Sequence, residues 1–255
     1  MPRKKQEKRI VKGDELEGLT VPEEEISVED VEKVLNQGQT DLDDRPENPW
    51  FTFKFPYKIV CVGKSFSGKT VLILNLLTKY LYFDTLTIIG RTVQYQQKFD
   101  LFTDLAQLFP DKFFVYETIK EMRMRKYKKE LVNFVLIDDA QEEDEKDIRK
   151  FNHLYTAGRH HGICPCFIAQ DYFKAPIRAR ANTSHFIFFR LNSLRNIRRI
   201  HQEIASDLHI DQFTKMFMDA TEPSDDDHSF LVVDTTAKTS TERYRKGLNQ
   251  FYLGD

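Results

Sequence analysis

The run Gly63-Lys64-Ser65-Phe66-Ser67-Gly68-Lys69-Thr70 fills the pattern G-x-x-x-x-G-K-[ST] at every fixed position. Glycines at both ends of such a run let the backbone fold into a nest whose N–H groups point inward. A following helix adds partial positive charge, so a triphosphate can be held largely by main chain. In that arrangement Lys69 reaches the β- and γ-phosphates and Thr70 offers its hydroxyl to Mg²⁺, which makes ATP with Mg²⁺ the expected ligand. A pair of acids, Asp138-Asp139, closes the apolar run Phe134-Val135-Leu136-Ile137. Asp138 is suited to orient Mg²⁺ and Asp139 to polarise an attacking water as a general base. Read alone, Asp139-Ala140-Gln141-Glu142 fits a helix N-cap equally well; the phosphate loop upstream favours the catalytic reading. Gln170 ends another apolar run, where an amide can hydrogen-bond a γ-phosphate or its water, or can simply be a polar residue leaving a strand.

These groups need strands and helices to hold them. Residues 57–62, short and β-branched, predict a buried strand ahead of the loop, and residues 71–80 a helix after it. Further strands are expected at 85–89, 112–116, 134–137 and 164–170, separated by helices at 97–109, about 119–130, and 142–157. The last of these presents Ile148, Phe151, Leu154 and Tyr155 on one side and stops at Gly158. Alternating strands and helices predict an α/β fold with a mainly parallel sheet covered on both faces. Two strand–helix units between the loop and the acids argue against the simplest GTPase layout. They favour the RecA-like ATPase branch, in which an acid beside the Walker-B residue handles water. Beyond it, Leu194, Ile197, Ile200, Ile204 and Leu208 recur at helical spacing, Asp225-Asp226-Asp227 predicts a loop, and residues 229–234 predict an antiparallel edge strand.

Ahead of the domain, residues 1–50 carry eight Lys/Arg against fourteen Asp/Glu, whereas the rest carries 30 against 26. Residues 1–48 therefore read as a mobile charged arm, with one short helix from Ser27 through Val31, Val34 and Leu35. Its basic start, Arg3-Lys4-Lys5 to Arg9, fits a nuclear-import signal, a nucleic-acid tail or a solvated end alike. Residues 49–236 form the expected ATPase domain, opening with an edge strand through Phe51, Phe53 and Phe55, and residues 237–255 a C-terminal extension that docks on a neighbour or frays. Cys61, Cys164 and Cys166 lie in apolar runs. Their odd number and spacing suggest buried thiols in a reducing compartment, although Cys-Pro-Cys also fits a zinc or redox pair. No run approaches the ~18 apolar residues of a membrane span, and a soluble intracellular protein is expected.

The succession of the loop, Leu136-Ile137-Asp138-Asp139, Ala157-Gly158-Arg159-His160-His161-Gly162-Ile163, Phe167-Ile168-Ala169-Gln170 and Arg180-Ala181-Asn182-Thr183-Ser184-His185-Phe186-Ile187-Phe188-Phe189 resembles the FtsK–HerA superfamily. Within it, the chain looks most like the poxvirus-type genome-packaging ATPases of large double-stranded DNA viruses and virophages, over roughly residues 55–200. The resemblance implies an ATPase that assembles as a ring, commonly a hexamer, and pumps duplex DNA into a capsid. It implies nucleotide binding by Lys69 and Thr70, a Walker-B pair in Asp138 and Asp139, and a sensor in Gln170. Asp139 departs from the glutamate that many members of the wider superfamily carry. Ring assembly implies an arginine supplied in trans, for which Arg159 is the first candidate and Arg178 and Arg180 follow.

A DNA pump would meet backbone phosphates with positive charge and without sequence preference. The candidates are Lys120, Arg123, Arg125, Lys126, Lys128 and Lys129 on the helix expected at 119–130, and Arg195, Arg198 and Arg199 on the later one; both sets also fit a solvated face. The resemblance further implies a capsid or portal partner and a place in the host cytoplasm, a viral factory or the nucleus, or association with the virion. Two other classes share the loop. A small-molecule or nucleoside kinase would need a lid with arginines and an acceptor pocket. A nucleotide-binding assembly protein would turn ATP over slowly and without regard to DNA.

Overall fold

Most of the runs expected as strands are buried on both faces, as a sheet covered by helices on each side demands. In the computed structural model, which describes residues 55–79, 81–124, 127–138, 145–222, 229–248 and 250–252, nine strands form one sheet in the order β3-β2-β4-β5-β1-β6-β7-β8-β9. β1 (Ile59–Val62), β2 (Thr85–Ile89), β3 (Phe113–Tyr116), β4 (Asn133–Asp138), β5 (Ile163–Ala169) and β6 (His185–Phe188) run parallel. β7 (Leu231–Asp234), β8 (Tyr244–Lys246) and β9 (Gln250–Phe251) continue the sheet antiparallel. The arm and its helix at Ser27, the positions Phe51 and Phe53, Arg125, Lys126, Asp139 and the acidic run 225–227 lie outside the described residues.

The two-residue period of the strands divides the core. Ile59, Cys61, Leu86, Ile88, Leu136, Cys166 and Ile168 face one side, under α1 (Lys69–Lys79) and α2 (Asp100–Leu108). Val60, Val62, Val135, Ile137, Phe167, Phe186 and Phe188 face the other. There they meet α3 (Glu145–Ala157), α4 (Ile177–Ala181), α5 (Leu194–Ile204) and α6 (Ile210–Ala220). The three thiols are free and buried, and burial pushes Cys61 and Cys166 well above the ordinary thiol range and Cys164 up to about 12, so they pack rather than react.

Several expectations are corrected. The described part of residues 119–130 is turns, not helix: Ile119 and Met122 mimic a helical pair, but each is spent docking a loop beneath the sheet. Lys120 pairs with Asp147 of α3 at 3.4 Å, and its carbonyl accepts from Lys150 Nζ at 2.9 Å. On α3, Ile148 is exposed whereas Phe151, Leu154 and Tyr155 are buried. α3 does end ahead of Gly158, as expected, but the chain runs on without a loop. It tightens into a 3₁₀ turn, Gly158–His161, and reverses at Gly162, whose φ is 62°. β7 is not the sheet edge, because α7 (Ser240–Arg243), β8 and β9 bring the last stretch back alongside it.

Gly162 has no room for a side chain. A Cβ there would lie 2.0 Å from the Leu131 carbonyl oxygen, and Asn133 holds both segments by donating to the Lys128, Leu131 and His161 carbonyls. With backbone on the opposing side and positive φ, Gly162→Ala should cost at least about 2 kcal/mol. Thermal unfolding of the variant, shifted down by several degrees, is the measurement; an unchanged melting temperature would remove Gly162 from the determinants of this junction.

Candidate nucleotide site

β1 delivers the chain to the carboxyl edge of the sheet, where ligands bind in open α/β folds, and α1 carries it away again. Between them the loop closes tightly. Gly63 N donates to the Ala169 carbonyl at 3.1 Å, Ser67 N to the Lys64 carbonyl at 3.3 Å, and Leu72 N to the Gly68 carbonyl at 2.8 Å. Gly63 is required because a Cβ would fall 2.6 Å from Phe189 Cβ and 2.7 Å from Ser67 Oγ. Gly68 takes φ 84°, which opens the turn into the helix.

Inside the loop the polar groups are sequestered. Lys69, Thr70 and Asp138 are 7%, 7% and 9% exposed, so charges and hydroxyls that solvent would ordinarily satisfy are held for a ligand. Lys69 Nζ donates to the Lys64 carbonyl at 2.5 Å and Thr70 Oγ1 to Asp138 Oδ2 at 3.3 Å. Ser67 Oγ is buried without a hydrogen-bond partner, as expected of a cradle shaped around an anion.

The register explains how residues 68 positions apart meet. β5 lies between β1 and β4, pairing Val62 with Ala169 and Asp138 with Ile168, so the loop, Gln170 and Asp138 emerge side by side. Gln170 is exposed just past β5, between the loop and the acid. Mg²⁺ fits this donor set: one hydroxyl and one carboxylate at the mouth of an anion cradle, with phosphate oxygens and water to complete an octahedron. Among the described residues no group of three or more His, Cys, Asp or Glu could hold a metal.

Two groups escaped the sequence reading. Phe189, just beyond β6, donates its N–H to the Val62 carbonyl at 2.8 Å and walls the loop. Arg91 is exposed after β2, next to Gly90, whose Cβ would sit 2.8 Å from the Asp138 carbonyl oxygen. A Gly-Arg pair directly after an apolar strand was the available signal.

The arginine candidates separate. Arg159 is exposed on the 3₁₀ turn ahead of β5, at the amino edge of the sheet and remote from its own loop. Burial and the Arg159 charge both push Lys58 below the ordinary lysine range, which locates Arg159 beside the start of β1. Arg180 is buried, donating to Glu203 at 2.9 and 3.1 Å and to the Ala175 carbonyl at 2.6 Å, and is committed to the fold. Arg178 is exposed on α4. Arg123, Lys128 and Lys129 are exposed on the turns after β3, and Arg195, Arg198 and Arg199 on α5. The two basic sets are not contiguous: the first borders α3 through Lys120 and Asp147, the second borders α4 through Glu203 and Arg180, and α3 packs on α4 between them.

Comparison with known proteins agrees with this geometry. The profile described as Poxvirus A32 protein matches residues 52–236, well over half of the chain. Among solved structures, the fold is similar to the genome packaging NTPase B204 from Sulfolobus turreted icosahedral virus 2 in complex with ATP-gammaS. That likeness has a TM-score of 0.51 at 16% identity, over 72% of this chain and 94% of that one. B204, the DNA-packaging ATPase from Sulfolobus turreted icosahedral virus, gives 0.51 at 15% identity over the same shares. No curated protein sequence matches the chain. The phosphate loop, the acid two strands away and the inserted β5 are those of a RecA-like P-loop ATPase, and the chain belongs to the poxvirus A32 protein family.

Proposed function

We propose that this ATPase drives duplex DNA into a viral capsid, working as a ring whose sites are completed between subunits. The observation that carries the reading is the placement of Asp138 against Thr70 across the inserted β5, the arrangement of a hydrolytic motor, within a chain of the A32 family. Relatives in fold described as genome packaging NTPases supply the direction.

In this reading the loop amides and Lys69 hold the phosphates and withdraw charge from the leaving diphosphate. Thr70 and Asp138 would hold Mg²⁺, which would supply positive charge at the phosphates. Asp139 takes the proton of the attacking water, and Gln170, between loop and acid, registers whether the γ-phosphate is intact. Arg159 of a neighbouring copy stabilises the transferring phosphoryl group, an effect worth roughly 10³–10⁵ in rate. The exposed arginines of α5 and the basic turns after β3 are the surfaces offered to the DNA backbone. The work is done in the host cytoplasm or a viral factory, beside the capsid or portal that receives the genome.

Steady-state ATP hydrolysis, measured with and without non-specific duplex DNA across protein concentrations and beside light scattering, tests this. A rate that rises with DNA and more than linearly with protein, at a ring-sized mass, is expected. Hydrolysis linear in a monomer and indifferent to DNA would sink the translocase and return the kinase or assembly-protein readings.

A further inference from the structure

Phe66 sits at the outer tip of the phosphate loop with φ 62° and is 100% exposed. Positive φ is a conformation that a bulky residue enters only at a cost, and glycine, which fills the loop's other such position at Gly68, would enter it freely. The backbone uses that conformation, with Gly68, to form the N–H nest, but the ring itself touches no core. A wholly exposed aromatic face at the rim of a phosphate cradle is open to a partner.

We propose that Phe66 is the stacking platform for the guanidinium of Arg159 from a second copy of this chain, so that the incoming arginine meets a ring face and phosphate oxygens together. The inference rests on the ring reading above and adds the group that receives the arginine. Its own copy cannot supply the cation. Arg159 precedes the seven-residue β5 and Phe66 follows at the far end, about 20 Å along the strand. The chemistry favours arginine over lysine, because a planar, weakly hydrated guanidinium stacks on aromatic faces and forks to phosphate with the same group. This chain already uses the motif within its fold: Arg199 lies 4.0 Å over the Phe173 ring, Arg180 4.9 Å over Tyr172, and Arg245 5.2 Å over Phe251.

The test is directional. Mix full-length Arg159→Ala, which keeps an intact loop, with full-length Lys69→Ala, which lends its Arg159 but cannot use its own loop, and measure ATP hydrolysis. Rescue relative to either protein alone is the starting signal. Phe66→Leu added to the Arg159→Ala copy should cut the rescued rate about tenfold, the size of a partly desolvated cation–π contact. The same change added to the Lys69→Ala copy should alter it less than about twofold, and Phe66→Trp on either copy should retain it. The Arg159→Ala copy carrying Phe66→Leu should bind a fluorescent ATP analogue as tightly as before. A loss of binding that matches the loss of rescued rate would assign Phe66 to its own loop, equal losses from both placements would assign it to subunit assembly, and either would overturn the proposal. No loss from either placement would overturn it while leaving the ring standing. A starting mixture without rescue would overturn the ring reading and this proposal together.

Discussion

Lys69→Ala should lower ATP turnover by at least about 10²–10³-fold and remove most nucleotide affinity, with the fold intact. Lys69 is 7% exposed, and its ammonium is held on the Lys64 carbonyl at 2.5 Å, inside the loop rather than in solvent. A triphosphate entering the cradle exchanges that carbonyl for phosphate oxygens, so the cation is already desolvated and aimed when charge develops. Alanine leaves the carbonyl unpaired and the phosphates short of one charge. Asp139→Asn should behave differently, preserving nucleotide binding while hydrolysis stops, because an amide cannot accept the water's proton. Titration of a fluorescent ATP analogue beside a coupled hydrolysis assay separates the two variants. Equal loss of binding in both would remove Asp139 from the role of base, and a large drop in melting temperature for Lys69→Ala would assign its effect to folding.

The difference between what was legible and what was not follows burial. β1, β4 and β5 could be read because their apolar residues are continuous, and only a strand covered on both faces tolerates that. Once those strands are granted, Thr70, Asp138 and Gln170 fall together by register, without any knowledge of side-chain contacts. The turns of residues 119–130 misled for the opposite reason. Two apolar residues three apart among cations satisfy a helical period, and nothing local reveals that Asp147 and Lys150 of α3 hold the segment as a loop. α6 was passed over although its signal is present: Phe213, Phe217 and Ala220 are spaced for one buried face, and Gln212 accepts from the His209 N–H in a capping box. The acidic character of the surrounding sequence masked it. Gly158 ends α3 as its type suggests, whereas the reversal at Gly162, where a side chain would meet the Leu131 carbonyl, is a tertiary fact.

Asp234→Asn should be the most damaging single change away from the nucleotide, at about 3–5 kcal/mol, lowering the melting temperature on the order of 10 °C. At the amino edge, opposite the loop, Asp234 meets Arg245 at 3.2 Å and His185 at 3.4 Å, and accepts from Thr236 N and Oγ1 at 2.8 and 2.7 Å. Arg245 is 4% exposed, so removing the carboxylate strands a buried guanidinium, and that loss exceeds what the intact pair contributes. Replacing both partners, as Asp234→Asn with Arg245→Met, should therefore recover most of the stability. Burial opposes ionisation of Asp234, yet His185 and Thr236 hold its carboxyl well below the usual range. Its contribution is therefore present above the unfolded carboxylate value, about 4, and drains away as pH falls below it. Burial lowers His185 from its ordinary 6.5 despite the neighbouring acid, so the unfolded chain takes up a proton that the fold resists. Stability consequently also falls as pH drops below about 6.5, and the two effects share a sign. Chemical denaturation at pH 7.5, 5.5 and 4 should show a steady decline for the native chain. The Asn variant, already weakened at pH 7.5, should lose the part of the decline that sets in near pH 4, and a profile parallel to the native one would show that Asp234 carries no such linkage.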